Sequence, residues 1–239
     1  VVVLAFATSA NNRLANLAAL TALFSLSTSI MTGERVNFLI RLCSAVIAAV
    51  VWRPRIVKVV SVAIFFLLAL CLVIISSPST AFRFVVNFFE QLPFHSDSNY
   101  YQTMAPGVLA FLESPTLGVG PGNMRFLCQE ITSNSIFYDC HPHPHNYYIQ
   151  MLGETGIIGL VTGILFLGSI IWACARPALH DRSNVIVATM WIVPFGLFWP
   201  IATTADFFGQ WNNIFMWSAV GIALAGSQIG NASNPAPNA

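Results

Sequence analysis

The sequence predicts an all-α integral membrane protein, a polytopic helical bundle with one large extracytoplasmic loop that contains short helices. Its composition is the first reason, because 56% of the residues are hydrophobic and 8% are charged, against about 25% charged in soluble domains. Apolar runs near the roughly 20 residues that a helix needs to cross a bilayer are the second. The net charge of +1 argues against nucleic acid as a partner.

Six spanning helices are predicted, three on each side of the large loop. Their approximate positions are 14–32, 36–52, 57–76, 150–175, 185–204 and 212–228. The chain then divides into transmembrane helices (1–76), an extracytoplasmic, periplasmic loop (77–149), transmembrane helices (150–228) and a disordered cytoplasmic tail (229–239). Because the sequence opens within an apolar run, we expect a fragment of a longer membrane protein.

The loop charges predict the orientation of this bundle. With Arg13 on the cytoplasmic side, that side collects most of the Lys and Arg residues, as short cytoplasmic loops do. The other side receives Arg35, Arg83 and Arg125 together with nearly all carboxylates, Asp206 among them. The 77–149 loop should therefore face away from the cytoplasm.

The large loop has internal organisation. Residues 82–92 alternate apolar and polar faces at helical spacing, which is typical of a helix resting along the bilayer surface. A second short helix is predicted over about 100–113, opened by Ser98 and Asn99. Residues 114–123 are rich in Gly and Pro and predict a turn. This stretch matches neither the dinucleotide nor the P-loop pattern, so nucleotide binding is not expected.

Three histidines, His141, His143 and His145, stand just before the fourth predicted span. The intervening prolines favour an extended, stiff backbone, and Asn146 can cap the helix that follows. Histidine can accept a proton near neutral pH, and a helix N-terminus favours anions. The cluster therefore suits transfer of a group from a phosphate leaving group to a hydroxyl. A surface loop and a metal site remain alternatives, although the metal site lacks an obvious distant ligand.

Three further residues on the outer side are candidates for substrate binding. Arg35 lies in a very short hairpin, where its guanidinium can grip a diphosphate with two hydrogen bonds. Its alternative roles are headgroup anchoring and an ion pair with Glu34. Arg125 is a further cation after the glycine-rich turn, with solvation as its alternative. Glu154, at the start of a predicted span, should face the protein interior or water, because a carboxylate in hydrocarbon is costly.

Two of the five cysteines, Cys128 and Cys140, fall in the outer loop and could form a disulfide. That bridge would close a small loop directly onto the histidines and help to hold them in place. Cys43, Cys71 and Cys174 lie in predicted spans and are most simply small hydrophobic residues.

Together these features resemble the O-antigen ligase and O-antigen polymerase family of bacterial membrane glycosyltransferases. The resemblance is carried by Thr-Gly-Glu-Arg at 32–35, by Ser-Pro-Thr-Leu-Gly-Val-Gly-Pro-Gly-Asn at 114–123, and by His-Pro-His-Asn at 143–146. It continues with Leu152, Glu154, Gly156 and Gly159. Members usually have about twice as many spans, which agrees with a fragment.

The resemblance implies an enzyme that moves a glycan from an undecaprenyl-diphosphate carrier to an acceptor hydroxyl, in lipopolysaccharide or surface-polysaccharide biosynthesis. The acceptor would be another glycan, a lipid A core or a protein. The enzyme would lie among the lipids of the bacterial inner membrane, as a multi-pass protein with its active site facing the periplasm. No metal or cofactor is expected.

The resemblance also implies roles for single residues. His145 would be the essential catalytic histidine and Arg35 the diphosphate-binding arginine. The other candidates for substrate binding are Arg125, His143, Asn146 and Glu154. Family members usually carry one more outer-loop arginine, where this chain has no basic residue at 98–104, so Arg125 or Arg83 would have to replace it.

A transporter or flippase for an anionic lipid-linked substrate is the competing interpretation. Transporters place ionisable groups near the middle of the membrane, on broken helices. Here the predicted spans are nearly free of charge, and the ionisable residues gather at the outer surface. This distribution favours an enzyme that works at the membrane interface.

Overall fold

The computed structural model describes residues 98–132, 141–180 and 184–233, together with six single residues between 40 and 71. These three segments contain helices and irregular chain but no strand, which confirms an all-α fold for them. The helices are α1 (Asn99–Glu113), α2 (Met124–Thr132), α3 (Tyr147–His180), α4 (Val185–Thr189), α5 (Ile192–Leu197) and α6 (Gln210–Ser233). The predicted spans before residue 77 and the predicted surface helix 82–92 lie almost wholly outside the described residues.

The chain divides into two compact units. One consists of Val85–Gly168 and Phe198–Trp217 and contains both the glycine-rich turn and the histidines. The other consists of Val1–Phe84, Ser169–Leu197 and Ser218–Ala239. Helices α3 and α6 contribute residues to both units.

Helix α1 begins and ends close to the predicted limits. Ser98 is its N-cap, and the Ser98 hydroxyl accepts a hydrogen bond from the backbone N–H of Tyr101 at 3.0 Å. Its buried face packs on the start of α3 at two glycines. A Cβ added to Gly107 would lie 2.6 Å from Cγ2 of Ile149, and one added to Gly153 would lie 2.6 Å from the Gly107 carbonyl oxygen. The two backbones therefore touch at this crossing.

Helix α3 is in fact two helical segments separated at Gly156, which has φ 66° and ψ −169°. A straight helix would hold Met151 and Gly163 roughly 18 Å apart, yet a Cβ on Gly163 would collide with the Met151 sulfur. The chain therefore bends sharply at Gly156. The second segment, 157–180, rises about 36 Å, enough for a hydrocarbon core of about 30 Å. Among the described helices, α3 is the one long and apolar enough to cross a membrane.

This bend corrects the start of the predicted span 150–175. Residues 150–155 belong to the short segment before the break, so Glu154 precedes the part of α3 that has the length to cross a bilayer. Beyond the break, large apolar side chains are exposed, including Leu165 at 67% and Trp172 at 59%. Such an uncovered apolar surface is typical of a membrane-contacting helix.

The predicted span 185–204 is wrong as one helix. Its apolar helical run, Ile186–Leu197, covers about 18 Å and is too short to cross a bilayer alone. From Phe198 to Gly209 the chain is not helical, and Pro200 lacks the N–H that a continuing helix needs. The Tyr148 hydroxyl donates to the Phe198 carbonyl oxygen at 2.6 Å, and the Asn146 amide donates to the Pro200 carbonyl oxygen at 2.7 Å.

Helix α6 replaces the predicted span 212–228 and continues to Ser233, past the predicted start of the tail at 229. In the unit that contains its second half, α6 approaches α4 closely at Gly226. A Cβ there would lie 2.9 Å from Cγ of Met190 and 3.4 Å from Cγ2 of Ile186. A small residue therefore permits this helix contact.

Candidate functional site

The three histidines form a compact cluster immediately before α3. The ring centroids of His143 and His145 lie 4.4 Å apart, and those of His141 and His145 lie 5.7 Å apart. His145 has φ 51°, a left-handed conformation that is uncommon for residues other than Gly, although His, Asn and Asp adopt it more often than the rest. Its carbonyl oxygen accepts a hydrogen bond from the backbone N–H of Thr204 at 2.8 Å. The sequence did not predict this strained backbone.

Asn146 caps α3, which confirms the predicted cap. Its Oδ1 accepts hydrogen bonds from two backbone N–H groups of the first helical turn, at 3.0 and 3.1 Å. Its Nδ2 donates to the carbonyl oxygens of Pro200 at 2.7 Å and Ala202 at 3.3 Å. The side chain is buried and bonds to four protein groups, so it ties the 198–209 segment to the residue that follows His145. Its geometry is that of a positioning residue.

The glycine-rich turn forms backbone hydrogen bonds with the chain on both sides of the break in α3. We call this contact between residues 115–120 and 153–157 the clasp. The N–H groups of Val119 and Gly120 donate to the carbonyl oxygens of Gly153 at 3.0 Å and Glu154 at 2.9 Å. In return, the N–H of Ile157 donates to the carbonyl oxygen of Pro115 at 2.9 Å. The turn therefore pairs with backbone groups that the bend at Gly156 releases from the helix.

Glycine is required on both sides of this clasp. Gly118 has φ 69°, and a Cβ there would collide with the backbone of Glu154. Gly156 also has positive φ, and a Cβ there would collide with the carbonyl of Thr116. The glycine-rich turn and the Glu-x-Gly sequence at 154–156 of α3 thus pack directly against each other, backbone to backbone. The sequence motifs alone do not indicate that these two stretches are in contact.

Glu154 is fully buried beneath the clasp. Of the two environments expected for it, protein interior and water, the structure shows the interior. Its Oε2 accepts hydrogen bonds from the Gly122 N–H at 2.8 Å and from Nε2 of Gln150 at 3.3 Å. Its Oε1 has no hydrogen-bond partner in the described part of the chain. Through its bond to the Gly122 N–H, the Glu154 carboxylate fixes the end of the glycine-rich turn to the first segment of α3.

Gln150 and Asp206 belong to the site, although the sequence did not single them out. Nε2 of Gln150 donates to Oδ1 of Asp206 at 2.6 Å, and Oε1 of Gln150 accepts from the Phe207 N–H at 2.8 Å. Asp206 Oδ1 also accepts from the Phe208 N–H at 2.9 Å. A polar residue within an apolar run was the signal available for Gln150. Asp206 counted only as one of several outer carboxylates.

The electrostatics of the cluster favour a neutral imidazole at position 143. Burial is the main cause that lowers the pKa of His143 below its ordinary value, and the neighbouring His145 and His141 lower it further. The charge of Asp206 opposes these effects. His143 should therefore remain uncharged at neutral pH, where a neutral imidazole can accept a proton.

This lowered pKa predicts a pH dependence of folding. The unfolded chain takes up a proton at position 143 near pH 6.5, and the folded protein does so at lower pH. The contribution of the neutral His143 to stability is thus fully present above about pH 6.5, and it is lost as the pH falls from there through the lower pKa of the folded protein. In full-length protein in detergent, the thermal midpoint should drop between about pH 7.5 and about pH 5.5, and less so in His143→Gln. The exposed His180→Gln is the control; an equal drop in all three proteins would contradict the prediction.

The remaining predicted site residues are partly described. Arg125 is exposed in the first turn of α2, with its guanidinium 4.9 Å from the ring centroid of Phe126. Cys128 is buried and disulfide-bonded, whereas Cys43, Cys71 and Cys174 are free. Cys140 and Arg35 lie outside the described residues. Pairing of Cys128 with Cys140 and diphosphate binding by Arg35 stay predictions.

The arrangement suits proton transfer from a hydroxyl that arrives beside the histidine cluster. The Thr204 hydrogen bond and the Asn146 cap hold the backbone of His145. Gln150 and Glu154 lie on the first turns of α3, and Asp206 lies in the segment 198–209 between α5 and α6. Across the described segments, no group of three or more His, Cys, Asp or Glu side chains is arranged to hold a metal ion. In the described part of the chain, the histidine cluster thus lies immediately before a helix that is long and apolar enough to cross a membrane.

The chain belongs to the O-antigen ligase family, whose match covers residues 20–167. The matched region contains the glycine-rich turn, the histidines and the clasp, and it confirms the family that the sequence motifs resemble. No curated protein and no solved structure matches the chain significantly. Family membership makes the chain a glycosyltransferase-type ligase of polysaccharide biosynthesis. Members are inner-membrane enzymes that use a lipid-linked glycan donor.

Proposed function

We propose that this protein transfers a glycan from an undecaprenyl-diphosphate carrier to an acceptor hydroxyl at the periplasmic face of the inner membrane. The observation that carries the proposal is the fixed position of His145. Its ring lies within the histidine cluster, its backbone is strained, and the residue after it is locked by four hydrogen bonds. Backbone strain of this kind persists where surrounding contacts enforce it, and it concentrates at functional sites.

In the proposed reaction, the acceptor oxygen attacks the anomeric carbon of the carrier-linked glycan. His145 accepts the hydroxyl proton as the new glycosidic bond forms. The bond between the anomeric carbon and the diphosphate oxygen breaks, and its electron pair leaves with the diphosphate. Arg35 stabilises the charge that develops there, with Arg125 as a second cation. The proton leaves His145 to solvent or to the departing diphosphate.

The other candidates receive supporting roles in this proposal. His143, uncharged at neutral pH, lies against His145 and shapes the site without placing a second positive charge beside the proton acceptor. Asn146 fixes the backbone on which His145 stands, and Glu154 holds the glycine-rich turn that leads to Arg125. The proposal includes the predicted domain arrangement, in which residues 77–149 form the periplasmic loop between membrane helices.

Reconstitution with purified full-length protein tests the proposed function. The carrier-diphosphate glycan is supplied together with one acceptor at a time: a lipid A core, a second carrier-linked glycan, or a protein with free hydroxyls. We expect covalent transfer to one of these acceptors, with release of the carrier diphosphate. Movement of the intact donor between leaflets without covalent transfer would identify a flippase instead and overturn the proposal.

A further inference from the structure

Gln150 is placed as a bridge between two carboxylates. It is 1% exposed, and both sides of its amide are bonded within the protein. Nε2 donates to Oδ1 of Asp206 at 2.6 Å and to Oε2 of Glu154 at 3.3 Å, and Oε1 accepts from the Phe207 N–H at 2.8 Å. An amide provides two N–H donors, so no donor is left for a substrate.

These bonds connect parts of the chain that are far apart in sequence. From the Gly122 N–H, the path runs through the Glu154 carboxylate to Gln150, and from there to Asp206. The glycine-rich turn and the 206–208 segment are therefore joined through one buried side chain. Asp206 lies two residues after Thr204, whose N–H donates to the His145 carbonyl oxygen at 2.8 Å, so the end of this path lies near the histidine cluster.

We propose that Gln150 is a positioning residue of the transfer site, whose amide fixes the carboxylates of Glu154 and Asp206 behind the histidines. The inference rests on the proposed function and names a further residue that the reaction requires. Two carboxylates that share a site repel each other and lose stability when a hydrogen-bond donor is removed. Burial raises the pKa of Glu154, whereas hydrogen bonds from the Gly122 and Met124 N–H groups and from Gln150 lower it, so loss of the Gln150 donor disfavours the ionised carboxylate.

The Gln150→Met variant removes the donor and acceptor while keeping a side chain of similar length. Misplacement of catalytic groups by about 1 Å can cost about 100-fold in rate. In full-length protein with the acceptor that the wild type uses, we expect kcat to fall by roughly 10- to 100-fold. KM for the donor should stay within roughly threefold, because Gln150 does not touch it. Gln210→Met, at the exposed start of α6, is the matched control.

The Gln150→Glu variant distinguishes positioning from a simple folding defect. A protonated carboxyl carries one O–H donor and one acceptor oxygen, so it can serve one of the two carboxylates and still accept from Phe207. The activity of this variant relative to wild type should rise as the pH is lowered from about 8 to about 5.5. The activity of Gln150→Met relative to wild type should not change over the same pH range. Glu154, Asp206 and the three histidines are the other ionisable residues of this site, which is why each variant is compared with wild type at the same pH.

The outcomes separate the two proposals. If the wild type transfers glycan and Gln150→Met keeps the wild-type kcat, Gln150 is not a positioning residue. A ratio for Gln150→Glu that does not change with pH also overturns the inference. Absence of transfer by the wild type with every acceptor would instead reject the proposed function, and this inference with it. Size-exclusion behaviour and thermal midpoint, measured beside Gln210→Glu, report the folded fraction of each variant.

Discussion

Replacing His145 by Asn in the full-length protein should lower the rate of glycan transfer by about 10²- to 10⁴-fold, the usual contribution of a general base. Asn is the informative substitute because His145 has φ 51°, and Asn adopts left-handed backbone more readily than most residues. The variant thus keeps the backbone and a polar side chain, but an amide does not take up a proton near neutral pH. The measurement is transfer from the carrier-linked donor in the reconstituted assay.

Two further variants make this result interpretable. His145→Ala removes the imidazole and also the local backbone preference, so it should lose folded protein in addition to activity. His180→Asn makes the same chemical change at the exposed end of α3 and should retain wild-type transfer. If His145→Asn transfers glycan at the wild-type rate with equal protein abundance, His145 is not the proton acceptor.

Local features were predictable from the sequence because their causes are local. Ser98 and Asn146 open helices since their side chains accept hydrogen bonds from N–H groups within the next turn. The Gly- and Pro-rich stretch 114–123 forms a turn for a similar reason. The histidine cluster followed from the spacing of its residues in the sequence. The sequence also indicated that Glu154 avoids hydrocarbon, but it left open whether the carboxylate faces the protein interior or water.

The features that the sequence did not reveal depend on contacts between distant residues. The bend at Gly156 exists because the turn near Thr116 packs against it, and glycine alone does not specify such a partner. Residues 198–209 leave the helix where the Tyr148 hydroxyl and the Asn146 amide bond to their carbonyl oxygens. An apolar run gives no sign of this, because hydrophobicity reports burial or lipid contact and not which carbonyls will be satisfied from elsewhere.

Replacing Gly156 by Ala should destabilise the protein by about 2–6 kcal/mol. Gly156 has φ 66° and ψ −169°, a backbone region that is essentially confined to glycine and costs other residues about 1–3 kcal/mol. The added methyl would also collide with the Thr116 carbonyl, at a further cost of about 1–3 kcal/mol for overpacking. The turn would have to move away, which breaks the hydrogen bond between the Ile157 N–H and the Pro115 carbonyl. The thermal midpoint of the full-length protein in detergent measures this loss.

Gly168→Ala is the matched control, because it makes the same change in the same helix where a Cβ would meet nothing within 4 Å. There the substitution should be neutral or stabilising by up to about 1 kcal/mol, since alanine favours helix over glycine. Equal midpoints for the two variants would show that the clasp contributes nothing to stability. The clasp also joins the glycine-rich turn to the helix that Asn146 caps. Transfer per folded Gly156→Ala molecule should therefore fall as well, because the strained position of His145 depends on the placement of that helix start.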